Sequence, residues 1–203
     1  MLNQLRLVNF RSFRNFTISF GDGAYLVGPN NAGKSTILTA LRTADVLIRF
    51  AQRRNPTFRR EHDGRNFVAY PLVLNEFPAL QESVRHEFRN ESEARFELSW
   101  KSGARLVAVW PRIIKDEVPE NFFYLEKSSG MLVRDVASAR ATFPALGVIP
   151  ILTPVEHSEA LLTDEYVKSS VSTRLSSRHF RNQLRLMRRE GDFDKFCQYI
   201  GRT

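Results

Sequence analysis

Hydrophobic and polar positions alternate from the start of the chain. Leu5 and Leu7, with Asn9, fall on one side, Arg6, Val8 and Phe10 on the other, and the alternation returns over residues 17–20. A period of two predicts two short strands. Gly21, Asp22 and Gly23 supply turn chemistry, and residues 24–27 form a short apolar run of the kind buried in the middle of a sheet. The period then lengthens. Ile37, Leu38, Leu41, Ala44, Leu47, Ile48 and Ala51 recur at helical spacing and Pro56 lies just beyond them, which predicts a helix of about four turns or more.

From residue 49 to 65 the chain turns basic and irregular around Asn55 and Pro56, and reads as a loop. Phe96, Leu98 and Trp100 then alternate with Arg95, Glu97 and Ser99, and Lys101, Ser102 and Gly103 turn the chain into residues 105–110, which makes a hairpin. Residues 121–126 and 131–134, joined across 127–130, read as a second hairpin. Residues 147–152 suit a short buried strand, although Pro150 would delete one ladder hydrogen bond and argues for an edge or bulge. The last fifty residues read as helical from near Ser158, including 177–189 and 193–200, with Gly191 as a helix stop and Asp192 as the following N-cap.

At 203 residues and 42% apolar composition the chain suits one large domain or two small ones. A single cysteine, Cys197, excludes an internal disulfide and a thiolate metal cluster, and no apolar run approaches the roughly 20 residues of a membrane span. The expectation is a cytoplasmic protein with no membrane partner. The formal charge of +8, mostly arginine, leaves a polyanionic partner and a simply solvated surface both open.

One segment narrows the chemistry. Gly28-Pro29-Asn30-Asn31-Ala32-Gly33-Lys34-Ser35 satisfies the eight-position phosphate-loop pattern, with an apolar run before it and a helix after it. Glycine at both ends permits backbone angles closed to other residues, so that successive N–H groups turn inward around phosphates, and the helix adds its positive dipole end. Lys34 is expected to bridge the β- and γ-phosphates of ATP, and Ser35 to place its hydroxyl on Mg²⁺.

With that loop in place, Asn9-Phe10-Arg11-Ser12-Phe13 and the extension to Thr36 resemble the N-terminus of ABC-type ATPase heads, closest to the DNA-associated RecF, SMC and OLD groups and to OLD in particular. The resemblance is strong over roughly the first fifty residues, thin from Arg53 to Ala145, and moderate over the end. It implies an α/β P-loop NTPase fold, with a central sheet carrying the loop, an antiparallel side sheet and a helical C-terminal part. It also implies one ABC-type ATPase domain over 1–203, divided as 1–56, 57–145 and 146–203. Arg11 would lie near the nucleotide, although an ordinary surface arginine beside a strand is the other reading. The stretch from Val148 to Glu156, followed by Arg178-His179-Phe180-Arg181, is similar to the middle of such heads, and would make Glu156 a candidate for Mg²⁺, with a solvent-facing acid as the first reading and the metal role as the second. Heads of this type pair around ATP as homodimers or higher oligomers, often on DNA. Arg178, Arg181, Arg185 and Arg188 share one helical face beside an apolar face of Phe180, Leu184 and Met187, and are the candidate nucleic-acid contacts, unless the stripe salt-bridges to acids elsewhere in the head or is simply solvated.

Hydrolysis needs an apolar strand ending in an acidic pair. Ile113-Ile114-Lys115-Asp116-Glu117 is broken by lysine, and Asp164-Glu165 sits in a helical stretch. No signature segment occurs, and Ser128-Ser129-Gly130 reads as a hairpin turn. The catalytic residues are therefore unknown. The chain reads as the front portion of a head, or as a binder that holds nucleotide without hydrolysing it. A small-molecule kinase with an arginine lid is the remaining alternative, and the absence of Asn-Lys-x-Asp excludes a GTPase.

Overall fold

A computed structural model describes residues 1–62, 64–72, 84–114, 119–147, 158–170 and 176–200, which fall into two compact units, Met1–Leu146 and Gly147–Thr203. The first unit carries β1 (Leu2–Phe10), β2 (Phe13–Ser19), α1 (Lys34–Ala51), β3 (Phe58–His62), β4 (Arg65–Pro71), β5 (Ala94–Trp100), β6 (Arg105–Trp110), β7 (Phe122–Glu126) and α2 (Val136–Thr142). Its strands form one sheet in the order β2-β1-β5-β6-β7-β4-β3, with every neighbouring pair antiparallel. With the helices of the second unit, the fold is α/β with an antiparallel sheet and a helical end, as expected.

Two periods meet in the core. Leu5, Leu7, Phe96, Leu98, Leu106, Ala108 and Phe123 line one face of the sheet, because alternate strand residues point the same way. Ile37, Ala40, Ala44, Leu47, Ile48 and Ala51 of α1 belong to the same buried cluster at 3.6-residue spacing. Each fully buried leucine or isoleucine contributes about 1.5–3 kcal/mol. The opposite face divides. Arg6 and Arg95 meet Glu97, and Arg105 meets Glu126, across adjacent strands or along one of them. Ala69, Val107, Val109, Phe122 and Tyr124 make a second buried cluster. Strands β6 and β7 are thus buried on both faces and read as continuous apolar runs, whereas β5 alternates strictly.

The alternation of β1 breaks at its end, where Asn9 and Phe10 are both buried. Asn9 adopts φ 48°, a left-handed conformation that turns Phe10 back into the core, and its amide donates to the carbonyls of Arg89 and Ser92.

Several elements depart from expectation. Residues 24–27 form no strand; Tyr25 and Val27 are 95% and 92% exposed. β1 already has β2 on one side and β5 on the other, so the segment has no place beside β1, and it does not extend the sheet at the outer edge of β2 either. The basic stretch at 49–65 contains β3 and turns into β4, with His62 paired to Arg65 and Gly64 at φ +70°. Strand β2 begins at Phe13, four residues ahead of the alternation at 17–20. The second arm of the 121–134 hairpin reduces to a single bridge from Leu132 to Glu126. The run at 148–152 and the acidic pair Asp116-Glu117 lie outside the described residues.

In the second unit, helix begins at α3 (Asp164–Ser170) instead of near Ser158, followed by a 3₁₀ turn (Ser176–His179), α4 (Phe180–Glu190) and α5 (Phe193–Ile200). Gly191 ends α4 at φ 79°, as a left-handed helix stop requires. Asn182 organises the unit. It is almost fully buried, its amide nitrogen donates to Glu159 and the Ala160 carbonyl, and its oxygen accepts from the Leu162 N–H. The buried face of α4 is therefore Asn182 and Leu186, while Phe180 is 39% exposed. The apolar face expected from Phe180, Leu184 and Met187 is rotated, because a hydrogen-bonded asparagine replaces a hydrophobe at its centre.

Candidate functional site

The chain leaves β2 with the Phe20 N–H bonded to the Asn3 carbonyl and runs, exposed except at Leu26, which packs against the core, to the exposed Gly28, Pro29, Asn30, Asn31 and Ala32. The Ala32 N–H turns back to the Pro29 carbonyl, Asn31 takes φ 68°, and Gly33 takes φ 82° and ψ 4°. The left-handed angles at Asn31 and Gly33 turn the backbone tightly into the start of α1. Gly33 is the N-cap of α1, no side chain caps the helix, and its first turn holds no acid. The partial positive charge of an 18-residue helix therefore faces the loop without a neutralising group.

Lys34 folds back over the loop and donates to the carbonyls of Gly28 and Pro29 at 2.6 Å each. An anion on the loop would find an ammonium and an uncapped helix end on the same side. Ser35 is exposed, and its carbonyl accepts from the Thr39 hydroxyl one turn on. Thr36 is buried, with its hydroxyl 2.9 Å from that of Ser12.

Arg11 lies in the turn between β1 and β2, in a left-handed conformation at φ 49°. Its N–H bonds to the Val84 carbonyl at 2.7 Å, and its own carbonyl accepts from His86 Nδ1 at 2.8 Å. The residues after it, Ser12 and Phe13, touch Thr36 and Gly33, so the turn carrying Arg11 abuts the phosphate loop. Sequence reasoning points to Arg11 and misses Ser12 and Phe13, although all three stand in the same five-residue lead-in.

Glu156 lies outside the described residues. Among the described residues no group of three His, Cys, Asp or Glu side chains could hold a metal ion. The loop fits a cation that takes most of its ligands from phosphate oxygens and water, with one hydroxyl, Ser35, to offer.

The arginines of the C-terminal unit are drawn into its own interactions. Arg185 donates to the Leu162 carbonyl at 2.8 Å and to Asp164 at 3.1 Å, Arg189 reaches Asp164 at 2.8 Å, and the Arg188 guanidinium lies 4.9 Å from the centre of the Phe193 ring. Arg178 and Arg181 are exposed. The same ion pairs occupy Asp164, one half of the acidic pair 164–165. Beside them, Glu159 accepts from the N–H groups of Arg181 and Asn182 at the start of α4. Burial acts to raise its carboxyl, but these bonds and the Asn182 amide outweigh burial and hold it below the usual glutamate range.

Among the described residues no helix is long and apolar enough to cross a membrane. No curated protein matches the chain. The phosphate-loop geometry is consistent with nucleotide binding, and the whole of β1 beyond Asn3, the loop, α1 and the rest of the sheet fall within the span that a known family covers. Residues 4–135 match the family model described as an AAA domain, and the chain belongs to that family.

Proposed function

We propose that this chain binds ATP with Mg²⁺ on the loop from Gly28 to Thr36, as part of an ATPase head of the RecF, SMC and OLD type. The observation that carries the reading is the convergence of the uncapped α1 N-terminus, the left-handed Asn31 and Gly33, and the Lys34 ammonium on one short loop. Lys34 would exchange its two carbonyl partners for β- and γ-phosphate oxygens, and the backbone N–H groups of Gly33, Lys34 and Ser35 would hold the remaining charge. Ser35 is the residue that would reach Mg²⁺, which neutralises phosphate charge when bound. Arg11, in the adjoining turn, would face the same nucleotide.

In this reading 1–203 is one nucleotide-binding domain, and hydrolysis draws on acidic and signature groups other than those described, with Glu156 a candidate for the metal side. Two heads closing on ATP, on DNA, would be the working unit. A nucleic-acid backbone would then run along α4 and the turn before it, past Arg178, Arg181, Arg185 and Arg188, and Arg185 would have to leave Asp164 and the Leu162 carbonyl to join it.

Titration of a fluorescent ATP analogue against the parent and Lys34→Ala tests the central claim. Loss of charge-assisted hydrogen bonds to phosphate is expected to weaken binding by roughly 10- to 100-fold, with an unchanged circular dichroism spectrum because Lys34 fills no core. Equal affinity in a folded variant would remove the reading.

A further inference from the structure

We propose that the turn 9–13 positions the phosphate loop, with Phe13 and Ser12 as the positioning residues; the inference deepens, and in its ligand arm rests on, the reading of that loop as a nucleotide site. Gly33 is buried while Asn30, Asn31 and Ala32 before it are exposed. What covers it is the Phe13 ring, which lies so close that a methyl group on Gly33 would overlap its edge carbons. Phe13 is itself held in a stack on Phe16, with ring centres 4.2 Å apart and planes 16° from parallel. Ser12 makes the second tie, hydroxyl to hydroxyl with Thr36 at 2.9 Å across 24 residues of sequence.

The turn can act as a fixed reference because its other side is anchored. Asn9 holds the carbonyls of Arg89 and Ser92, Arg11 is bonded through both its N–H and its carbonyl to Val84 and His86, and Phe10 packs between Phe96 and Trp110. Asn9 and Arg11 keep left-handed angles that residues with side chains adopt rarely, at φ 48° and 49°. Such a conformation persists only where its surroundings over-determine it. The anchored turn thus presents one ring and one hydroxyl to the two loop positions, Gly33 and Thr36, that begin α1. Without them the loop would sample conformations in which its N–H groups diverge, and only a fraction of molecules would be competent to bind. Apparent affinity falls by that fraction, through slower association, while the interactions made once the ligand is bound stay the same.

Phe13→Ala, Phe13→Leu and Ser12→Ala in the full chain test this in two ways. In the nucleotide-free protein, amide hydrogen exchange over residues 32–37 should quicken in Phe13→Ala and Ser12→Ala while β5 and β6 stay protected, and Phe13→Leu should restore most of the protection. Unchanged exchange at the loop would overturn the proposal whether or not ATP binds. By stopped flow, Phe13→Ala should slow association of the fluorescent ATP analogue by roughly tenfold, equivalent to about 1.4 kcal/mol, with dissociation unchanged. Weakening carried by faster dissociation would mean that Phe13 touches the ligand, and would also overturn a positioning role. A parent chain that binds no ATP sinks the nucleotide reading and leaves the exchange result to decide this one.

Discussion

Tyr70 shows how a single buried polar atom can cost more than it contributes. Its ring stacks on Phe123 at 4.7 Å between centres, inside the cluster shared with α1, and its hydroxyl has no hydrogen-bond partner among the described residues. Burial, with the charge of Asp135 added, pushes the phenol up to about 12. A group whose pKa is raised on folding contributes stability that is whole below its unfolded value of about 10 and is lost as pH climbs towards 12. Tyr70→Phe is expected to raise the melting temperature slightly at neutral pH, by up to about 1 kcal/mol of stability, and to lessen the alkaline loss. Tyr124, also raised to about 12 by burial and then by Glu126, contributes to the remaining loss, as do Lys168 and Lys195, raised by their bonds to Glu190 and Asp192. A clear drop in the Tyr70→Phe melting temperature at pH 7 would show that the hydroxyl has a partner. The phosphate loop lies at the other extreme of legibility. Gly28, Gly33 and Lys34 can be read from sequence because local backbone and charge needs dictate them. Phe13 cannot, because its task is set by a glycine about twenty residues away.

Among elements, the segment before α4 is tied down by one carboxylate. Glu159 accepts from two N–H groups at the first turn of α4, and its carboxyl is held below the free value of 4.5. A depressed pKa contributes stability that is whole above the unfolded value and is lost as pH falls through the folded one. Glu159→Gln should therefore lower stability at pH 7 and flatten the acid limb below about pH 4.5, read by urea unfolding across a pH series followed by helical circular dichroism. An acid limb as steep as the parent's would assign it to other carboxylates. Helix α1 and strand β5 are legible in the sequence, since each is long and keeps one period against one core, and the turn after β5 leads directly into the apolar run of β6. The β3–β4 hairpin is hidden by its arginines, although the sequence Asp63-Gly64 between the two strands is a strong local turn signal. Residues 24–27 mislead in the opposite direction: an apolar run suggests a buried strand, but here Tyr25 and Val27 stay exposed and the segment joins no sheet.

At the scale of the whole molecule, the +8 charge acquires an address only after internal pairing is subtracted. Arg49, Arg95, Arg105, Arg185 and Arg189 face carboxylates within their own units. If α4 follows a phosphate backbone, Arg181→Ala with Arg188→Ala should reduce the slope of log affinity against log salt by roughly 0.9 per arginine removed on duplex DNA. Arg185→Ala should instead destabilise the C-terminal unit. Equal slopes for parent and double variant would direct α4 towards another surface. The pairing of β1 with β5 reaches further still. Leu5 lies opposite Leu98 and Leu7 opposite Phe96, so the first strand of the chain finds its inner neighbour only after the intervening helix and hairpin have been synthesised. Closing so long a loop loses chain entropy before any sheet pairing offsets it, and α1 has no complete face to pack on until that closure. The order of events during synthesis follows from it: the phosphate loop emerges early, but the turn that braces it is fully anchored only when residues 84–110 have left the ribosome.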